Sequence, residues 1–399
     1  MAEPSRRPVC TVVSSFPDAG VTYPQIAEVA RALRTRFEVR WVLISERGLF
    51  LDRLVERTLL SADLRLSLAT GAALSRDWLA CRAATRGADV VIGIDFGGFV
   101  CACAATRRPV ALWSLDYISD DEARFTRKIN RLFLAAVRRG LHRNPSLITQ
   151  DETRLESFAR AMRLPRASLR SYLLPVALPA AAAAAAAPGD WLGRPHVMQI
   201  GGVNISRCHS DFLVERFRVS RGGFDLTFHG RVDDDMRGLL DAAPDRVVVS
   251  TEMVEPGEMP AIVSRCSVGF IGNREGHEQF RLLKKSCGQL VEYLRCGKPV
   301  ISMGPNDLGP YLEAKGVGFQ VTGAAQFDAA LAKIHADYAG YSRRALRLFQ
   351  DEYDLGAYAP GLCDFLAEMA LTRPFARRPG RRAETRRSAG DLATAGGPR

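Results

Sequence analysis

Short, continuously apolar runs alternate with amphipathic stretches along most of this chain, and that alternation most restricts its fold. The strand-like runs of the first half are "VCTVVSS", "VRWVLIS", "DVVIGID", "PVALWSL", "SLITQ" and "SYLLPV". Helical stretches such as "YPQIAEVARALRTRF" and "DETRLESFARAMRL" lie between them. A strand apolar at every position, not every second one, belongs to a parallel sheet covered by helices on both faces. The pattern breaks in the segment from Ala177 to Pro195, which is rich in alanine, proline and glycine. It then restarts with "HVMQIGG", "FDLTFHG", "RVVVST", "SVGFIGN", "PVISMG" and "GFQVT". Two runs of βα units predict an α/β chain of two Rossmann-like, doubly wound domains, at 1–177 and 196–372, with a linker at 178–195. Ligands of such sheets bind beyond the carboxyl ends of the strands, so two facing domains enclose a cleft.

The 399 residues, 47% hydrophobic, are enough for two cores. The net charge of +11 is concentrated at the end: residues 373–399 carry eight arginines against Glu384 and Asp391, which leaves the body only +5. The high pI is therefore mainly a property of the tail and is not a nucleic-acid signature. The tail composition predicts a basic, disordered segment that could be attracted weakly to an anionic membrane face. Nine scattered cysteines without a paired C-x-x-C, and histidines away from ligand spacing, predict reduced thiols in a cytoplasmic protein and no zinc or other metal site. The apolar run near the N-terminus is too short for a signal segment, and no stretch approaches the roughly 18 apolar residues of a membrane span.

The chemistry is most concentrated in "KKSCGQLVEYLRCGKPVIS", from Lys284 to Ser302. Ser286 and Gln289 have the spacing of a capping box, which predicts a helix beginning at Ser286 and ending near Gly297 and Pro299. A helix start that follows a strand offers unpaired N–H groups and partial positive charge to an anion. Lys284 and Lys285 add cations at that end, and Gly288 permits close backbone approach. Glu292, seven residues after Lys285, is predicted to share its helix face. Cations at the start and a carboxylate two turns along suit a nucleoside diphosphate, with phosphates on the former and ribose hydroxyls on the latter. An ordinary capped helix with a solvated polar face has the same features.

The segment "GQLVEYLRCGKPVIS" resembles the donor-site segment of GT-B glycosyltransferases, in particular the large retaining family four, and the two-domain layout resembles theirs over about residues 9 to 370. The resemblance implies C-terminal helices that cross back to the first domain and a nucleotide-sugar donor, with no cofactor besides. It implies that Glu292 binds the donor ribose. A second glutamate usually stands eight positions earlier, and here that position is Lys284. The family holds the diphosphate with cations after the first strand of the second domain, where this chain has "GGVNISRCHS" and Arg207. It holds the base near the loop after the third strand, here "TEMVEP" with Met253.

In the first domain, the loop "SSFPDAGVTYP" carries a single glycine, Gly20, and is not G-x-G-x-x-G, which disfavours a nicotinamide cofactor. The resemblance implies that this loop faces the donor phosphates and the acceptor. Asp95 and Asp116 end strand-like runs where an acceptor would lie, or cap helices. A basic helix in "ARFTRKINRLFLAAVRRGLHR" packs on the core or lies on an anionic membrane. The expected reaction is metal-independent, retaining glycosyl transfer to a glycan, lipid-linked or small-molecule acceptor. Lys285 and Arg207 are expected to stabilise the leaving diphosphate, and Lys284, Ser286, Gly288, Glu292, Met253 and Gly20 to hold the donor. A nucleotide-sugar epimerase and a non-catalytic binding protein on the same fold are the alternatives.

Overall fold

The structure, a computed structural model, describes residues 6–14, 24–43, 76–116, 131–181, 194–220, 223–242, 246–274 and 280–371. Gly20, most of the alanine-rich linker, the first half of the basic helix and the tail lie outside these residues.

The first domain is a six-stranded, all-parallel sheet of β1 (Val9–Ser14), β2 (Glu38–Leu43), β3 (Val90–Ile94), β4 (Val110–Trp113), β5 (Ser146–Thr149) and β6 (Arg170–Leu173). Its order is β2-β1-β3-β4-β5-β6. Between the strands run α1 (Pro24–Leu33), α2 (Arg76–Ala84), α3 (Asp95–Ala105), α4 (Arg131–Arg143) and α5 (Glu152–Met162). β1, β3, β4 and β5 are buried at every position, as continuous apolar runs between two helical layers must be.

The second domain repeats the plan. Its strands are β7 (His196–Val203), β8 (Asp225–Val232), β9 (Val247–Ser250), β10 (Val268–Gly272), β11 (Val300–Met303) and β12 (Gly318–Val321), in the order β12-β11-β10-β7-β8-β9. Its helices are α6 (Ser210–Val219), α7 (Asp234–Asp241), α8 (Met259–Val263), α9 (Gly288–Arg295), α10 (Leu308–Ala314) and α11 (Ala324–Ala336). Each sheet changes winding direction at its first strand, which leaves a crevice at the carboxyl ends.

Two long helices close the described chain, α12 (Tyr338–Glu352) and α13 (Leu355–Leu371). Ala345, Leu348 and Phe349 of α12 pack in the second-domain core with Leu290 and Tyr293 of α9. α13 crosses back: Leu362, Phe365, Leu366 and Met369 are buried with Ile26, Leu33 and Trp113 of the first domain. The Tyr172 hydroxyl donates to the Tyr358 carbonyl at 2.6 Å, and ion pairs join Arg36 to Asp364 and Arg170 to Glu368. No helix among the described residues is long and apolar enough to cross a membrane.

Candidate functional site

A cavity of about 1050 Å³ opens at the carboxyl ends of β7, β8 and β9 and reaches Pro24 at the start of α1 in the facing domain. Its floor is bare backbone at Gly201, Gly202 and Gly230. Gly201 and Gly230 have φ of +88° and +140°, and a Cβ on Gly230 would stand 2.1 Å from the Gly201 carbonyl oxygen. No other residue fits there, and a ligand can lie directly on the peptide groups.

α9 runs up to this floor. It starts at Gly288 with Cys287 as N-cap, and no side chain hydrogen-bonds the cap. The Gln289 amide donates to the Ile200 carbonyl, and its Nε2 lies 3.1 Å from where a Cβ on Gly201 would be. The first turn of α9 is thus held against the end of β7, with its dipole directed at the glycines. Glu292, only 4% exposed, lines the cavity one turn further on. Arg295 Nε donates to its Oε2 at 2.5 Å, and the same guanidinium reaches the Pro256 carbonyl at 3.2 Å, tying α9 to the loop after β9. Burial pushes the Glu292 carboxyl up, against the pull of Arg295.

The loop after β9 forms one wall, with Thr251, Glu252 and Met253 on the cavity. Met253 is 67% exposed, an unpacked apolar side chain at a cavity rim. Buried His229, at the end of β8, has Nδ1 3.1 Å from the Ser250 hydroxyl oxygen, and burial holds its imidazole below the ordinary range. Among the described residues, the cations on the cavity wall are Arg231 of β8 and Arg237 of α7, and the acids besides Glu292 are Asp241 and Glu252.

Several residues singled out in the sequence take other places. Ser286 does not cap α9: its hydroxyl donates to the Leu282 carbonyl at 2.7 Å and accepts from Arg154 of the first domain at 2.5 Å. Gln289 is turned to β7, so the capping box does not form. Lys285 precedes the helix and therefore does not share the face of Glu292. Its ammonium pairs with Glu352 of α12 and lies 4.6 Å from the centre of the Tyr353 ring. Lys284 is fixed through its backbone, its N–H donating to Asp307 Oδ1 at 3.1 Å and its carbonyl accepting from Tyr353. Arg207 is exposed in the loop after β7, its N–H donating to Asn204 Oδ1 at 2.9 Å, and neither it nor the two lysines line the cavity.

Asp95 opens α3 with φ of +48°, but caps β4 instead of its own helix: its Oδ1 accepts from the Leu115 N–H at 2.8 Å. Its Oδ2 is buried and has no hydrogen-bond partner among the described residues. Asp116 is exposed nearby. The residues that sequence reasoning passed over are the glycine floor, His229 and Arg231. Their signals were the doublet in "HVMQIGG" and the "HGR" at the end of "FDLTFHGR", both at strand carboxyl ends.

No family model matches the chain, and no curated protein matches it in sequence. Solved structures match it in fold. HepE of Anabaena, crystallised with UDP, superposes with a TM-score of 0.65 at 12% identity, over 90% of this chain and 100% of that one. Sucrose-phosphate synthase of Thermosynechococcus elongatus gives 0.64 at 13% identity, over 91% of this chain and 99% of its own. WaaG, a glycosyltransferase of lipopolysaccharide biosynthesis, gives 0.57 at 11% identity, over 90% and 99%. The chain therefore has the two-domain GT-B fold found in glycosyltransferases.

Proposed function

We propose that this chain is a glycosyltransferase that moves a sugar from a nucleotide-sugar donor to an acceptor. The observation that carries the reading is the cavity at the strand ends of the second domain, where a side-chain-free glycine floor, the start of α9 and the buried carboxylate of Glu292 converge. In this reading the diphosphate lies over the glycines against the helix start. Glu292, oriented by Arg295, takes the ribose hydroxyls, and the base lies along the loop of Thr251 to Pro256 with Met253 against it. The fold neighbours agree: HepE was crystallised with UDP and with UDP-glucose.

The difficult step is departure of the nucleoside diphosphate, which gains negative charge as the glycosidic bond breaks. Groups placed to meet that charge bind the transition state more tightly than the donor. The reading assigns this to backbone N–H groups and protein cations, without a divalent ion. It takes transfer to retain the anomeric configuration, as the family resemblance implies. In this reading the acceptor lies on the side of the first domain, beyond the carboxyl ends of β1, β3 and β4, and Pro24 on the opposite wall of the cavity supports it. Lys285, held by Glu352, shapes the loop that leads into α9.

The test is incubation of the full chain with UDP-, GDP- and ADP-sugars, following nucleoside diphosphate release with and without glycan and lipid-linked acceptors. Acceptor-dependent release is expected with one of them. Formation of a new nucleotide sugar without release indicates an epimerase. Tight binding without turnover under any acceptor indicates a binding protein.

A further inference from the structure

We infer that Arg231, at the end of β8, is the side-chain cation that holds the donor diphosphate, an inference that rests on the nucleotide-sugar reading. The cavity needs such a group. Among the described residues on its wall, Arg231 and Arg237 stand against Asp241, Glu252 and Glu292, and Arg295 already answers Glu292. Without Arg231, Arg237 would be the one lining cation left among the described residues, against Asp241 and Glu252. The cations named from sequence do not fill the gap: Lys285 is engaged by Glu352, and Arg207 lies off the wall.

The geometry places Arg231 where the phosphates would be. In the parallel ladder of β7 and β8, Gly201 pairs with Gly230 and Gly202 with Arg231. Arg231 is thus the charged cross-strand neighbour of a glycine floor, and it lines the same cavity as Gly201, Gly202 and Gly230. Arg237, on α7, is paired with Asp234 at 2.9 Å and is not on the strands that carry the glycines. Arg231 is also free to be recruited. Its side chain is 76% exposed, and its carboxylate partner, Asp233, is an exposed-pair contact at 3.2 Å. An ion pair of that kind is nearly neutral in energy, so exchanging it for a phosphate costs little. A guanidinium offers two parallel N–H donors to phosphate oxygens, which a lysine does not.

The experiment is calorimetry on the full chain, wild type, Arg231→Ala and Arg231→Lys, with UDP, GDP and ADP and with uridine, guanosine and adenosine. Arg231→Ala is expected to weaken the preferred diphosphate about tenfold to a hundredfold, the scale of a charged hydrogen bond. The affinity for the matching nucleoside should stay unchanged, and the salt dependence of diphosphate binding should become shallower. Arg231→Lys should recover part of the loss. Equal affinity of wild type and Arg231→Ala for the diphosphate overturns the assignment while leaving the nucleotide-sugar reading intact. Equal loss for nucleoside and diphosphate also overturns it, since that marks a general effect on the cavity. If wild type binds no diphosphate, the functional reading falls and the assignment with it. Arg231 is exposed, so its replacement should leave the fold intact, and a thermal melt of each variant checks this.

Discussion

Two buried carboxyls are held in opposite ways. Glu292 has an arginine partner, with both side chains at most 6% exposed. Removing one member of such a pair leaves a buried, unanswered charge and typically costs about 3–5 kcal/mol. Arg295→Met should show that loss in urea unfolding, and Glu292→Gln combined with Arg295→Met should recover most of it. Glu292→Gln alone leaves the Arg295 charge unanswered and should lower stability in the same unfolding measurement; in the protein that remains folded, nucleoside diphosphate affinity should fall by about tenfold or more, the scale of a charged hydrogen bond, as read by calorimetry. Asp95 has no such partner. Burial, and then the neighbouring charge of Asp116, pushes its carboxyl up to about 8. Its folded-state pKa lies above the unfolded one, so its contribution to stability is fully present below about pH 4 and is lost as the pH rises through about 8. Unfolding free energy measured across that range should therefore decline, and Asp95→Asn should flatten the decline. Asparagine tolerates the left-handed backbone at this position, so the substitution tests the charge and not the strain.

At the scale of elements, the segment before α9 differs most from its sequence reading. The position of the helix, the presence of Glu292 on it and its termination before Pro299 were legible, because apolar spacing and helix breakers act over a few residues. The behaviour of residues 282–286 was not. Asp307 Oδ1 accepts from the Leu283 N–H at 2.6 Å, the Val176 N–H donates to the Lys285 carbonyl at 2.8 Å, and Arg154 donates to the Leu282 carbonyl at 2.7 Å. These contacts fix the loop, and the groups that a capping box would have used are taken up within it: the Ser286 N–H donates to the Leu283 carbonyl at 2.9 Å, and the Ser286 hydroxyl is engaged by the Leu282 carbonyl and Arg154. The strand ends are under similar constraint. Gly230→Ala would place a Cβ against the Gly201 carbonyl in a backbone region alanine avoids. The expected cost is about 3 kcal/mol or more in denaturant unfolding, with loss of nucleotide binding as the floor distorts.

At the scale of the molecule, chain order and domain order part company. α12 belongs to the second core, whereas α13 completes the first, and Leu362, Leu366 and Met369 are at most 2% exposed there. Each such side chain contributes roughly 1.5–3 kcal/mol by leaving water. Ending the chain after Asp354 should therefore damage the first domain, although the cut lies in the sequence of the second. Amides of β1, β3 and β4 should lose hydrogen-exchange protection while those of β7 and β10 keep theirs. Protection retained in β1 would show that the first sheet does not need α13.

The sequence by itself determined the two doubly wound domains, the break between them, the helix at the donor end and its glutamate. These follow from periodicity, helix breakers and burial demand, which neighbouring residues express. Only the tertiary structure decided which cations face the cavity. Lys285 was drawn away by Glu352, 67 residues distant in the chain, and Ser286 by Arg154, 132 residues distant. Arg231 came to the cavity because the ladder of β7 and β8 sets it across from Gly202. A charged side chain goes to whichever partner the fold brings within hydrogen-bond reach, and no local pattern specifies a partner that far away.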